Sequence, residues 1–145
     1  MRRRPPAASL AIVLVSLLAT TSCRRSQGPA EQYRAFVAAA RAGDGEQVWS
    51  MLSERSRALL DERAKEVAAR APAGVVASSG RDLVLGDLGP RAARVESVVV
   101  ARESRDAAVL AVRVEGRPDP EEVSLVREGG GWRVVLPGAA GQEKR

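Results

Sequence analysis

The spacing of apolar positions changes character several times along the chain. Ala7 to Ala19 is an almost unbroken apolar run of 13 residues, with only Ser9 and Ser16 polar. From Pro29 to Ala42 the apolar side chains recur at helical spacing instead, as Ala30, Tyr33, Val37 and Ala40, with Phe36 beside them. Pro29 suits the first helical turn, where its missing N–H is no loss, and Gly43 suits the position just past the end, with Arg41 in the last turn. Asp44 and Gln47, three apart, form a capping-box pattern that restarts the chain as a short helix burying Val48, Trp49 and Leu52. A third helix is expected over "SERSRALLDERAKEVAARAP". Ser53 is its N-cap, Leu60, Ala64, Val67 and Ala71 its apolar stripe, and Pro72 its stop. Charges of both signs fill the other face, the pattern of a solvated surface.

Ala73 to Pro90 is Gly-rich and irregular, with "DLVLGDLG" read as a short strand or turn. Beyond Pro90 the period falls to two. Arg94 to Arg102 is Val-rich, and Ala107 to Glu115 sets Leu110, Val112 and Val114 on one face. Glu122 to Arg127 alternates Val123 and Leu125 against Ser124, and Trp132 to Leu136 closes the series. The separators "ESRD", "GRPDP" and "EGGG" are turn material. Connections this short imply an antiparallel meander. Helices first and strands afterwards argue an α+β fold: N-terminal helices packed on a curved antiparallel sheet of about four strands.

Composition narrows the chemistry. The chain has 145 residues, 45% hydrophobic and 28% charged, which suits one globular domain. Its net charge of +5 owes three charges to Arg2, Arg3 and Arg4; without them 20 basic residues face 18 acidic ones. That balance gives no reason to expect nucleic acid as a partner. Histidine is absent, which removes the usual neutral-pH base and the commonest metal ligand. No cofactor or metal is expected. A single cysteine, Cys23, cannot form an internal disulfide, so an apolar core must hold the fold.

The N-terminal residues 1–22 have a basic start, the apolar run, and small residues Thr20, Thr21 and Ser22. This is the layout of an export signal, and the run is too short to span a bilayer as a helix, which takes roughly 18–20 residues. "ATTSC" after that run resembles the lipobox of bacterial lipoproteins, although Thr20 stands where that family usually has Leu. The resemblance implies cleavage before Cys23, a diacylglycerol on its thiol and acylation of the new amino group. A thiolate is the strong side-chain nucleophile, which is why such an attachment needs cysteine. The alternative is a plain secreted protein with a free thiol. Arg24 and Arg25 would contact the membrane surface, where a basic residue near anionic lipid contributes about 1 kcal/mol. Since Arg24 is not Asp, the family resemblance favours the outer membrane over the inner one.

A second resemblance lies in "YRAFVAAARAGDGEQVWSMLSERSRALL" and the closing "SLVREGGGWRVVLP". Both are similar to the nuclear-transport-factor-two-like superfamily, which includes ketosteroid-isomerase-like members. The resemblance implies a cone-shaped α+β domain whose helices and sheet can enclose a pocket. Its catalytic members usually place Asp, His or Tyr inside the cone; here His is absent and Tyr33 occupies a helical core position.

The remaining candidates each have an ordinary structural role beside the functional one. Asp82 and Asp87 are more simply turn formers than an acid–base pair. Alternation sends Glu121 and Glu122 to opposite faces. Trp49 and Trp132 could line a ligand pocket, but their periodic positions suit core anchors. Extending the inward register places Arg127 with Val123 and Leu125, and Glu96 with Val98 and Val100. Trp49, Glu96 and Arg127 are therefore pocket candidates, with solvated strand ends as the alternative for the two charges. The "EGGGW" stretch lacks a following helix and reads as a hairpin turn, not a phosphate cradle.

The expected layout is a signal peptide at 1–22, a tether at 23–28, the α+β domain at 29–138 and a disordered tail at 139–145. The expected function is a membrane-anchored envelope lipoprotein, held through lipid on Cys23, whose domain is a non-catalytic binding or assembly module. Its partner would be a protein or a small apolar ligand. The alternatives are a small-molecule pocket protein and an isomerase- or cyclase-like enzyme.

Overall fold

Proline, glycine and capping side chains set the helix limits. The computed structural model describes residues 27–70, 79–86 and 94–139. Helix α1 (Pro29–Ala42) starts on its proline and stops at Gly43, whose φ of 73° is left-handed. At its start the Glu31 carboxylate accepts from the Gly28 N–H at 3.2 Å. Helix α2 (Gly45–Met51) is capped by Asp44, which accepts from the Gln47 N–H at 3.0 Å. Helix α3 (Glu54–Arg70) follows Ser53, whose hydroxyl accepts from the Ser56 N–H at 3.1 Å. All three agree with their expected positions. The stripe on α3 stops early, however: Leu60 and Ala64 are buried, but Val67 is 44% exposed. No described element covers the last turns of α3.

The segment "GRDLVLG" is a helix, α4 (Gly80–Gly86), not a strand or turn. Two features explain the difference. The Ser79 hydroxyl accepts from the Asp82 N–H at 3.2 Å and donates to its carboxylate at 2.8 Å, a capping arrangement. Gly80 also lies against α3, its N–H donating to the Asp61 carboxylate at 2.9 Å. A Cβ there would fall 2.5 Å from the Asp61 backbone nitrogen, so only glycine permits the approach.

Four strands follow: β1 (Val95–Glu103), β2 (Ala107–Val114), β3 (Glu121–Glu128) and β4 (Gly131–Val135). They form one antiparallel sheet in the order β1-β2-β3-β4. The architecture is α+β, with helices packed on a four-stranded meander. The turn between β3 and β4 is two residues long, Gly129 and Gly130, at φ of 58° and 79°. Tight hairpins favour such positive φ values because their twist matches that of the strands. The register of β1 slips twice against β2, between Val95 and Ser97 and between Val100 and Arg102.

Ala108, Leu110, Val112 and Val114 of β2 are buried, and Leu125, Trp132 and Val134 extend the same face across β3 and β4. Leu52 and Leu60 close the core from the helical side, and Ala30, Tyr33, Phe36 and Trp49 pack against it. The α2–α3 junction is hydrogen-bonded to β4. Leu52 bridges Val134 in parallel, and the Ser53 N–H donates to the Val134 carbonyl at 2.9 Å. Ser56, wholly buried, accepts from the Leu136 N–H at 2.9 Å and shares a 2.8 Å hydrogen bond with the buried Ser53 hydroxyl. Among the described residues these two serines are the buried polar side chains of the core, and both are satisfied, as burial requires. Ala139, also buried, donates its N–H to the Leu136 carbonyl. The expected signal peptide, Cys23, Arg24, Arg25, Asp87 and residues 140–145 lie outside the described residues.

Candidate functional site

A cleft of about 290 Å³ opens between α1 and the sheet, where β3 begins and β4 ends. Its walls are Tyr33 and Phe36 from α1, Glu121 to Ser124 from β3, and Val134 to Pro137. The chain's single tyrosine and single phenylalanine thus share one opening. Their spacing of three residues puts them on one face of α1. The rings are stacked, with centroids 6.1 Å apart and planes 20° apart. Register fixes the opposite wall. Glu121 pairs with the buried Val112, and Val123 pairs with the buried Leu110, so both point to the helical side. Glu122 pairs with Ala111 and takes the other face, as alternation predicts.

The cleft is apolar with a polar mouth. Burial pushes the Tyr33 phenol above its usual 10.0 by penalising the phenolate, so the hydroxyl stays protonated through neutral pH. The carboxylate on the cleft side, Glu121, pairs with Arg117, whereas Glu122 lies 3.5 Å from Arg102 on the sheet's other face. The mouth therefore carries no net charge. An apolar body fits such a surface, with one hydrogen-bonding hydroxyl and a zwitterionic rim at its opening.

The sequence-based pocket candidates lie elsewhere and are not brought together. Trp49 is half-buried and packs against the main core cluster. Glu96 is exposed at the first register slip of β1. Arg127 is exposed on the face of Leu125, its guanidinium 4.6 Å from the Trp132 ring centroid, a cation–π contact. Trp132 is 3% exposed beneath it. Arg127 and Glu96 stand at opposite ends of the sheet, because Val95 pairs with the last residue of β2 while Val126 pairs with the first. Asp82 serves the Ser79 cap. Periodicity assigns Tyr33 and Phe36 to core positions and Glu121 to no site. Their sharing of an opening depends on how α1 crosses the sheet, which periodicity does not encode. The available signal was the pairing of the chain's rarest side chains at helical spacing.

Other depressions exist among the described residues, two of them of comparable size. One, of about 320 Å³, lies beneath α4 and is walled by Phe36, Val48, Leu83 and Arg63. The other, of about 370 Å³, borders Ser53, Arg55 and the ends of β2 and β3. No group of three or more Cys, Asp or Glu side chains with metal-binding geometry occurs among the described residues. No described helix is long and apolar enough to cross a membrane. Comparison with protein-family models, curated proteins and solved structures finds no match to this chain.

Proposed function

We propose that this chain is a lipid-anchored protein of the bacterial cell envelope, facing the periplasm, whose α+β domain is a non-catalytic binding module. The observation that carries the reading is the position of its only cysteine: Cys23 follows a basic start, a 13-residue apolar run and three small residues. The thiol is the chemistry that lipid attachment needs, and it sits where an export signal would be cut. With acyl chains on Cys23, each buried methylene adds about 0.8 kcal/mol of membrane affinity, and several chains give stable anchoring. Arg24 and Arg25 then meet the headgroups, and the absence of Asp after the cysteine favours the outer membrane. We extend the proposal to a cone-shaped domain of the nuclear-transport-factor-two-like kind. Its support is the order of helices before the meander together with the sequence resemblance.

The aromatic cleft favours a small apolar ligand as a second reading of the module's task, alongside a protein partner. Mass spectrometry of the mature N-terminus tests the anchor. A first residue of Cys23 carrying a diacylglycerol and an amide-linked acyl chain is expected. An unmodified Cys23, or cleavage at another position, would refute it.

A further inference from the structure

We infer that the cleft between α1 and the β3–β4 end receives one acyl chain of a phospholipid from the bilayer in which the protein is anchored. The inference rests on the lipid-anchor reading and deepens it by naming the ligand class. Chain length supplies the first argument. Five residues separate Cys23 from Pro29, and a fully extended chain spans at most about 3.5 Å per residue. Helix α1 then rises about 1.5 Å per residue, so Tyr33 lies within about 30 Å of the acylated sulfur and Phe36 within about 35 Å. The cleft cannot be carried far from the headgroup layer.

The lining supplies the second argument. Phe36, Val123, Val134 and Leu136 present hydrocarbon, and the Tyr33 ring lies alongside. Such a surface has no use for a charged body but gains from removing methylenes from water, at about 0.8 kcal/mol each. Charge supplies the third. The carboxylate on the cleft side of the sheet, Glu121, has an arginine neighbour, Arg117. A neutral rim of mixed sign accepts a zwitterionic headgroup, whereas an anionic one would gain no net attraction there. The cleft therefore fits phosphatidylethanolamine or phosphatidylcholine chemistry.

Photo-crosslinking tests this. The full mature protein, purified from membranes, is reconstituted into vesicles containing phosphatidylcholine with a diazirine in one acyl chain. After irradiation, adducts are mapped by mass spectrometry, and the intact mass of the N-terminal peptide is read on the same sample. Acylated Cys23 with adducts on the peptides of Tyr33–Phe36 and Leu136 is the expected result. Val123→Trp, which fills the cleft, should lower those adducts at least ten-fold. Tyr33→Lys, at a half-buried position that sets a charge in the cleft, serves the same purpose should Val123→Trp fail to fold. Acylated Cys23 with adducts only on the N-terminal peptide would overturn the acyl-chain inference and leave the anchor standing. So would adducts undiminished in both folded variants. Cleft peptides that never label, because the anchor's own chain or a second copy covers them, overturn it equally. An unmodified Cys23 overturns the anchor and the inference with it.

Discussion

Single side chains carry two kinds of duty here, and each can be measured. Tyr33 is the only tyrosine, so ultraviolet absorbance of tyrosinate reports it without interference. Its folded pKa is raised by burial, so the folded protein keeps a proton that the unfolded chain has lost once pH rises past 10.0. Stability from this group is full below the unfolded pKa and declines as pH rises toward the folded one. A spectrophotometric titration should therefore give a midpoint above that of the denatured chain. Coincident midpoints would mean that the phenol is not desolvated. Ser56 has a purely structural task. Ser56→Ala leaves the half-buried Leu136 N–H without its acceptor and should cost about 1–3 kcal/mol in denaturant unfolding. A change within about 0.5 kcal/mol, the range of ordinary surface substitutions, would show that another acceptor replaces the hydroxyl.

Elements are joined at a few close approaches. Helix α4 meets α3 at Gly80, and an Arg81–Glu46 ion pair links it to α2. That pair is exposed and contributes little. Gly80→Ala forces a methyl group onto the Asp61 and Leu60 backbone and should destabilise by about 1–3 kcal/mol, with α4 amides losing protection first. Unchanged exchange in α4 would contradict this docking mode. Strand β1 sits at the sheet edge, and α1 reaches it through Arg34, whose guanidinium donates to the Val98 carbonyl at 3.1 Å. Two register slips interrupt the same strand. Bulges and covering groups are ordinary ways to discourage edge-to-edge pairing, and β1 carries both.

At the scale of the molecule, stability rests on an apolar core with no internal disulfide, because Cys23 has no partner cysteine. Thermal unfolding of the full chain in detergent should be the same with and without reductant. A reductant-dependent midpoint would point to a disulfide between chains. Membrane association offers a second whole-molecule test. Acyl chains resist high salt, whereas attraction through Arg24 and Arg25 alone is screened within roughly 10 Å at 0.1 M. Membranes washed in about 1 M salt, where screening is far stronger, should therefore retain the protein. Its release would leave only an electrostatic attachment.

Local rules sufficed wherever one stretch of chain decides its own conformation. Pro29, Gly43, Asp44 and Ser53 delimit helices through short-range capping, so α1 to α3 were legible in the residues themselves. Alternation likewise exposed the four strands and the opposite faces of Glu121 and Glu122. The lipid-anchor proposal also belongs to the sequence, since it depends on Cys23 and its immediate flanks. Helix α4 was not legible because its seven residues gain support from α3, through a glycine contact invisible in one dimension. Strand alternation alone sends Glu96 and Arg127 inward. The slips in β1 and the solvated end of β3 left both exposed. Only the tertiary structure joined Tyr33 and Phe36 to Glu121 and Leu136, because a cleft is made by the crossing of elements far apart in sequence. Periodicity fixes which face of an element is apolar. The packing of one face on another decides where a gap remains for a ligand.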